Sequence, residues 1–422
     1  MAPEQEQKPP QEQKPAIEYN AQAVSPIVNG EAKLNIAENS FFVKGVFDIA
    51  EIPYAKVNAL EFADYTTVAK TDEGDFVLSR MGNWAQPFYD SLCDAYNKAV
   101  LRSFFVTGNP VFTASGDYRL AVDGAVTNNK APIRLFADCI AALPPNCSAR
   151  RIPLCFVNGI EKGDFSLTLK LNLGEEYTFS KLGYDTARFA EMIEKNIRTL
   201  YEKANAVVKE IDPTLSVMQA SQAAKLVPQG AAAQMGQFAA VAPSLAAAIE
   251  DKITKTRAVY TYAAFKEVCD PAKIWVGFKK NDIRSDGKPP GITQPGEEEA
   301  KPDPYLFWMI APSPDERFMA VEFAVRPGES AATFVYNTGG NFLRSAALLN
   351  RALEAITFKR EVIPMTEEEL RLPENVDYYM AAKRTASLQY IRKNFVGRVI
   401  HYNPEAWKSK LLEMWGSSVV PD

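Results

Sequence analysis

Apolar positions along this chain follow two periods, and the switch from one to the other recurs. Residues 164–173 and 175–182 alternate apolar and polar side chains, as half-buried strands do. After Gly183, the residues Phe189, Met192, Ile193, Ile197, Leu200 and Tyr201 fall on one stripe of a helix over 184–203. The same order returns at 317–326 and 330–338, then Gly339, then a helix over 341–358 carrying Leu343, Ala346, Ala347, Leu349, Leu353 and Ile356. A hairpin-then-helix unit present twice predicts an α+β chain with two related antiparallel sheet units, each closed by an amphipathic helix.

The rest of the pattern fills in around these units. Strand-like runs begin at Asn39 and continue at 41–43, 46–49, 57–68 and 75–81. A helix opened by Pro87 then carries Phe88, Leu92, Tyr96, Ala99 and Val100, and it is expected to interrupt the first sheet. Shorter β-rich runs follow at 111–113, 118–122, 133–139 and 152–157, separated by Gly, Asn and Pro turn signals. The expected boundaries are a Pro/Glu/Gln-rich disordered tail and lead-in over 1–38, a first sheet-and-helix domain over 39–210, and an Ala- and Gln-rich connector over 211–247. A second sheet-and-helix domain over 248–360 contains a mobile loop at 281–304, and a helical cap covers 361–422. In that cap, Thr366 and Glu369 have the spacing of a capping box.

With 422 residues and 47% of them apolar, the chain can bury two or three cores without disulfide staples. Its five cysteines, Cys93, Cys139, Cys147, Cys155 and Cys269, form no CxxC pair. With no leader-like start and no long apolar run, they are expected to be free thiols of a cytoplasmic protein. Zinc needs four soft or imidazole donors, and the single histidine is His401, so no metal site and no cofactor is expected.

The scarcity of histidine also removes most catalytic schemes. A cysteine nucleophile would need His401 as its base, and nothing in the sequence places Cys155 or Cys269 beside it. Gly339 and Gly340 open a helix but lack the lysine and the spacing of a phosphate-binding loop. Carboxylate runs at 297–299 and 367–369 lie in a loop and a first helical turn, where solvation denies them an elevated pKa. No catalytic residue is assigned.

One charge asymmetry stands out. Residues 380–415 hold Lys383, Arg384, Arg392, Lys393, Arg398, Lys408 and Lys410 with Tyr390, Tyr402, Trp407 and Trp415 interleaved. Such a face could meet an anionic membrane surface, nucleic acid or an acidic partner. It could also pair internally with the acidic stretch over 361–377. A net charge of −5 argues against nucleic acid and favours the internal or protein-facing reading. The candidate binding residues are Lys383, Arg384, Arg392, Lys393, Arg398, Trp407 and Lys408.

A many-stranded sheet closed by one amphipathic helix, with Gly183-Tyr184-Asp185 ahead of the helix over 189–200, resembles the pleckstrin-homology-like superfold of bacterial proteins. Phe334-Val335-Tyr336 and the helix over 342–356 are a fainter version. The block Phe395-Val396-Gly397-Arg398-Val399-Ile400-His401, then Pro404-Glu405-Ala406-Trp407, is similar to one found in bacterial proteins of unassigned function. The resemblance implies a binding or scaffolding fold, and a fold does not fix a function. The expected role is a non-catalytic scaffold with a protein partner or a homo-oligomeric state. The alternatives are an enzyme or small-ligand binder with a site in a barrel mouth, and a peripheral binder of anionic surfaces through 380–415.

Overall fold

The structure is a computed structural model that describes residues 18–256, 258–280, 305–323, 332–358, 362–401 and 403–416. The expected tail over 1–15 and the expected mobile loop over 281–304 lie outside the described residues. The chain is mixed α+β, built on antiparallel sheets, and divides into two compact units. The first runs to Ser103 and takes in Leu143–Ala149, and the second comprises 104–142 and the chain from Arg150 on.

The first unit holds a seven-stranded sheet of β1 (Glu18–Val24), β2 (Asn29–Ile36), β3 (Ser40–Lys44), β4 (Ile49–Pro53), β5 (Val57–Ala63), β6 (Thr66–Thr71) and β7 (Gly74–Ser79), in the order β4-β3-β2-β1-β7-β6-β5. Strands therefore begin at Glu18, well before the Asn39 expected from hydrophobicity. In β1 the inward side chains are Tyr19, Ala21 and Ala23, and in β2 they are Ala32 and Leu34. Alanine contributes too little contrast for the alternation to be seen. Helix α1 (Ala85–Ser103) buries Phe88, Leu92, Tyr96, Ala99 and Val100, as its spacing predicts. Its rings meet the sheet edge-on, Phe88 with Tyr19 at 5.1 Å and Tyr96 with Tyr54 at 6.3 Å. The helix ends this sheet rather than interrupting a longer one.

The second unit opens with another seven-stranded sheet: β8 (Phe112–Val122), β9 (Ala125–Leu135), β10 (Cys139–Ala142), β11 (Arg150–Pro153), β12 (Val157–Lys162), β13 (Ser166–Leu171) and β14 (Glu176–Ser180). Its order, β11-β10-β9-β8-β14-β13-β12, is that of the first sheet strand for strand. Helix α2 (Asp185–Ile211) packs Phe189 against Phe112 and Phe179 at 5.0 and 5.5 Å.

The likeness extends to local detail. Ile52-Pro53-Tyr54-Ala55-Lys56-Val57-Asn58-Ala59-Leu60 answers Ile152-Pro153-Leu154-Cys155-Phe156-Val157-Asn158-Gly159-Ile160. Both stretches contain a 3-10 turn, then a bulge, between Val57 and Ala59 in one and between Val157 and Gly159 in the other. The Asp72 N–H donates to the Lys56 carbonyl at 3.0 Å, and the Asn172 N–H to the Phe156 carbonyl at 3.1 Å. Arg80 and Lys181, both with left-handed backbones (φ 60° and 58°), precede the helices at matching positions. The repeated sheet units are thus 18–103 and 112–211. The hairpin over 317–338 belongs to a different sheet.

That third sheet has six strands in sequential order: β15 (Ala233–Gln234), β16 (Trp275–Lys280), β17 (Tyr305–Pro312), β18 (Phe318–Glu322), β19 (Ala332–Asn337) and β20 (Phe395–Ile400). It is covered on both faces, which a sheet closed by one helix is not. Phe307, Met309, Ala311 and Ala320 face a core shared with α3 (Val217–Leu226), α4 (Met235–Val241), α5 (Pro243–Thr254) and α6 (Val259–Val268). Trp308, Ile310, Met319 and Val321 face the opposite core with α7 (Phe342–Ala355). Burial on both sides explains why β17 and the first four residues of β18 read as continuous apolar runs.

The Ala- and Gln-rich stretch forms short helices and packs Ala220, Ala223 and Phe238 into the first of these cores. The C-terminal segment holds α8 (Glu367–Leu370), α9 (Val376–Arg384), α10 (Ala386–Lys393) and α11 (Pro404–Gly416). It is not wholly helical, because β20 returns to pair with β19. The capping box is present, with Thr366 Oγ1 accepting from the Glu369 N–H at 3.1 Å and Glu369 accepting from the Thr366 N–H at 2.7 Å.

Candidate functional site

Seven residues of the C-terminal basic segment are the sequence-based candidates, and the structure distributes them over α9, α10, β20 and α11. Arg384 is only 2% exposed and donates to the Met380 carbonyl at 3.2 Å. Trp407 is 4% exposed and stacks into the core beside Phe265. Arg392 is tied down by carbonyls of Val362 and Ile363 and by Glu367 at 2.9 Å, a partner from the acidic stretch itself. Lys408 pairs with Glu267 of α6, and Lys383 lies over the Tyr379 ring at 5.9 Å. Lys393 and Arg398 are exposed. Two of the seven thus serve the core, and three are held by neighbouring groups at the surface.

His401 has gained neighbours that its sequence position does not reveal. Its Nε2 lies 2.9 Å from Thr333 Oγ1 and 3.3 Å from Glu322 Oε2, and Trp407 Nε1–H donates to the same Thr333 hydroxyl at 2.8 Å. Thr333 in turn donates to Glu322 Oε2 at 2.9 Å. With its one proton given to Glu322, Thr333 can only accept from His401, which places a proton on Nε2. A threonine whose proton goes to a carboxylate and whose lone pairs receive an indole and an imidazole is no nucleophile. The cluster locks the end of β20 and the start of α11 to β18 and β19. Glu322 within the apolar run Met319-Ala320-Val321-Glu322-Phe323 was the available signal, since a carboxylate inside a two-sided strand must have a partner.

Four of the five cysteines are chemically quiet. Burial pushes the Cys93 and Cys269 thiols up to about 12 and also raises Cys139 and Cys155, so these four stay protonated near neutral pH. Cys269 lines an open depression of about 330 Å³ with Val268, Asp270, Lys273 and Pro312 to Pro314, but as a thiol it offers that depression no anion. Among the described residues no group of three His, Cys, Asp or Glu side chains could hold a metal ion, and no helix is long and apolar enough to cross a membrane.

The remaining feature is a sheet edge. In the first unit β5 is the terminal strand, and residues Leu143–Ala149 lie along it. The Leu60 N–H donates to the Pro145 carbonyl at 2.8 Å, the Cys147 N–H donates to the Asn58 carbonyl at 2.9 Å, and Ala59 bridges Asn146 in antiparallel fashion. Two main-chain groups of an edge strand are thereby satisfied by a turn from elsewhere in the sequence, which meets the strand through one bridge residue, Asn146. The bulge after Val57 leaves Asn58 without a partner in β6, and the alternation of the antiparallel pair turns the Leu60 N–H outward. Nothing in the hydrophobic pattern marked it, although the repeat of Val57-Asn58 at Val157-Asn158 could have. No known protein-family model matches the chain, and no curated protein matches it.

Proposed function

We propose that the protein is a non-catalytic binding scaffold whose sheet edges take turn or loop segments of polypeptide, on a pleckstrin-homology-like architecture used twice. The observation that carries this reading is the seat of the turn over 143–149 on β5, made by two main-chain hydrogen bonds and one antiparallel bridge. Two seven-stranded antiparallel sheets, each followed by a long helix that packs on it, support the architectural part. The internal contacts of Arg384, Arg392, Trp407 and Lys408 favour a structural role for the basic segment over an anionic-surface role.

The test is a peptide. A synthetic copy of residues 142–150 is added to the full-length protein, and amide hydrogen exchange is followed along β12, the counterpart of β5. Selective protection at Asn158 to Glu161 is the expected result. Absence of protection anywhere on a sheet edge at saturating peptide, or robust turnover on a broad substrate panel that a point substitution abolishes, would overturn the reading.

A further inference from the structure

The two repeated sheets differ in one respect that topology does not require. In the first sheet the β5 edge is covered, and Val57 and Leu60 are buried at 0% and 3% exposure. In the second, β12 is likewise terminal and carries the same bulge, yet Val157 and Ile160 are only half-buried and Asn158 is exposed. Ile160 is aligned with Leu169 as Leu60 is with Ala69, so its N–H points away from the sheet just as the Leu60 N–H does. Among the described residues nothing beyond β13 hydrogen-bonds to the Ile160 N–H or the Asn158 carbonyl.

The covering segment also has a counterpart. Residues 143–149 join β10 to β11, and in the first sheet the equivalent connection, from β3 to β4, is the turn over 45–48. That tip is apolar and bare. Val46 is 78% exposed, Phe47 94% and Ile49 67%, and Val24 and Ile27 of the neighbouring β1–β2 turn are 56% and 44% exposed. Gly45 lies against Val28, so the two turns form one patch. The turn closes on itself through the Gly45 N–H and the Asp48 carbonyl at 2.8 Å, and among the described residues no main-chain hydrogen bond engages Val46 or Phe47. A single chain therefore carries one edge-and-tip contact made, plus one edge and one tip of the same kind left over. Exposed apolar patches and bare edges of this sort mark association surfaces.

We propose that a second copy of this chain supplies the missing half. Its Val46-Phe47 tip seats on the β12 edge at Asn158 and Ile160, where the first sheet seats residues 143–149 at Asn58 and Leu60. This inference rests on the edge-binding reading above and names its partner. The contact joins two different patches, so each added copy presents a fresh tip and a fresh edge, and the assembly grows head to tail into a ring or an open filament.

The experiment is sedimentation velocity on the full-length protein across micromolar to high-micromolar concentrations, with two variants. Phe47→Asp and Asn158→Lys both alter exposed side chains, so the fold tolerates them, and circular dichroism checks this. Wild type should associate progressively with concentration. Each variant alone should weaken that association by at least about tenfold, since an apolar anchor or an open edge is lost. Mixed together, the two should form a 1:1 dimer and nothing larger, because one retains its edge and the other its tip. A wild type that stays monomeric, a dimer indifferent to both substitutions, or variants that fail to complement would each overturn the proposal. A monomer that still protects β12 with the 142–150 peptide fails this inference alone, whereas a monomer that refuses the peptide fails the edge-binding reading with it.

Discussion

The Arg151 guanidinium and the Glu354 carboxylate meet at 2.5 Å, with side-chain exposures of 4% and 7%, and join strand β11 to helix α7. Asp138 adds a second carboxylate to Arg151 at 3.0 Å, and next to this pair Arg351 binds Glu175 at 3.0 Å and Asn172 at 3.2 Å. Two arginines from separate elements are thus neutralised inside one interface of the second unit. Removing one partner of a buried pair leaves a charge that has neither water nor a counter-ion.

Glu354→Ala is therefore expected to lower stability by roughly 3 to 5 kcal/mol, while joint replacement, Arg151→Met with Glu354→Leu, should cost much less. The midpoint of urea unfolding, followed by tryptophan fluorescence, measures both. Equal loss in the single and joint variants would show that the charge pair itself, rather than the orphaned partner, sets the energy.

Gly277 is required by its neighbour. A Cβ there would fall 2.0 Å from Trp308 Nε1 and 2.7 Å from the Gly230 carbonyl, the two atoms that share a hydrogen bond of 2.9 Å. Gly277→Ala should break that bond and force the buried indole aside, at a cost on the order of 1 to 3 kcal/mol or more. A variant with an unchanged unfolding midpoint and unchanged indole environment would contradict this.

Thr333 is fully buried and holds three partners through one hydroxyl. Thr333→Val keeps the shape but strips Trp407 Nε1 of its acceptor and Glu322 of a donor, and should cost about 1 to 3 kcal/mol. Thr333→Ser retains the hydroxyl and should recover most of that loss. If the serine variant proves as unstable as the valine variant, the methyl group, not the hydrogen bonds, accounts for the residue.

Alkaline titration has a defined sign. Burial lifts the Tyr118 phenol from 10.0 to about 12, with Arg150 opposing the shift. The unfolded chain gives up this proton first, so the stability contributed by the neutral phenol is complete below pH 10 and is lost as the pH rises from 10 through 12. Urea midpoints taken over that window should fall, and Tyr118→Phe should flatten the fall by this residue's share. An identical slope in the two proteins would show that Tyr118 is already titrating as an exposed phenol.

Helices announced themselves in the sequence because their apolar faces carry large side chains, as Phe88, Leu92 and Tyr96 do in α1 or Phe189, Ile193 and Leu200 in α2. Strands β1 and β2 did not, since they turn alanines inward. The internal repeat was legible in kind but was located at the wrong pair of segments. Similar element order at 317–358 outweighed the shared residues at 52–60 and 152–160, although the latter carry the bulge, the turn and the matching edge strand. Long-range partners such as Glu322 with His401, or Pro145 with Leu60, have no local signature at all, because register and chain return decide them. For the same reason the residues of the basic segment take separate partners, Arg384 the Met380 carbonyl, Arg392 Glu367 and Lys408 Glu267.

The seat of residues 143–149 on β5 also bears on how the chain is made. Emerging from the ribosome, the first sheet and its helix are complete once Ser103 is out, but the segment that covers the sheet's open side is not synthesised until Ala149. At ~5–20 residues per second that interval lasts a few seconds, during which a finished domain waits with an uncapped strand. Synonymous codons or pauses placed between these two points would lengthen the exposure without changing a single residue of the product. The order in which the parts are translated thus sets how long this edge stays open before its cover exists.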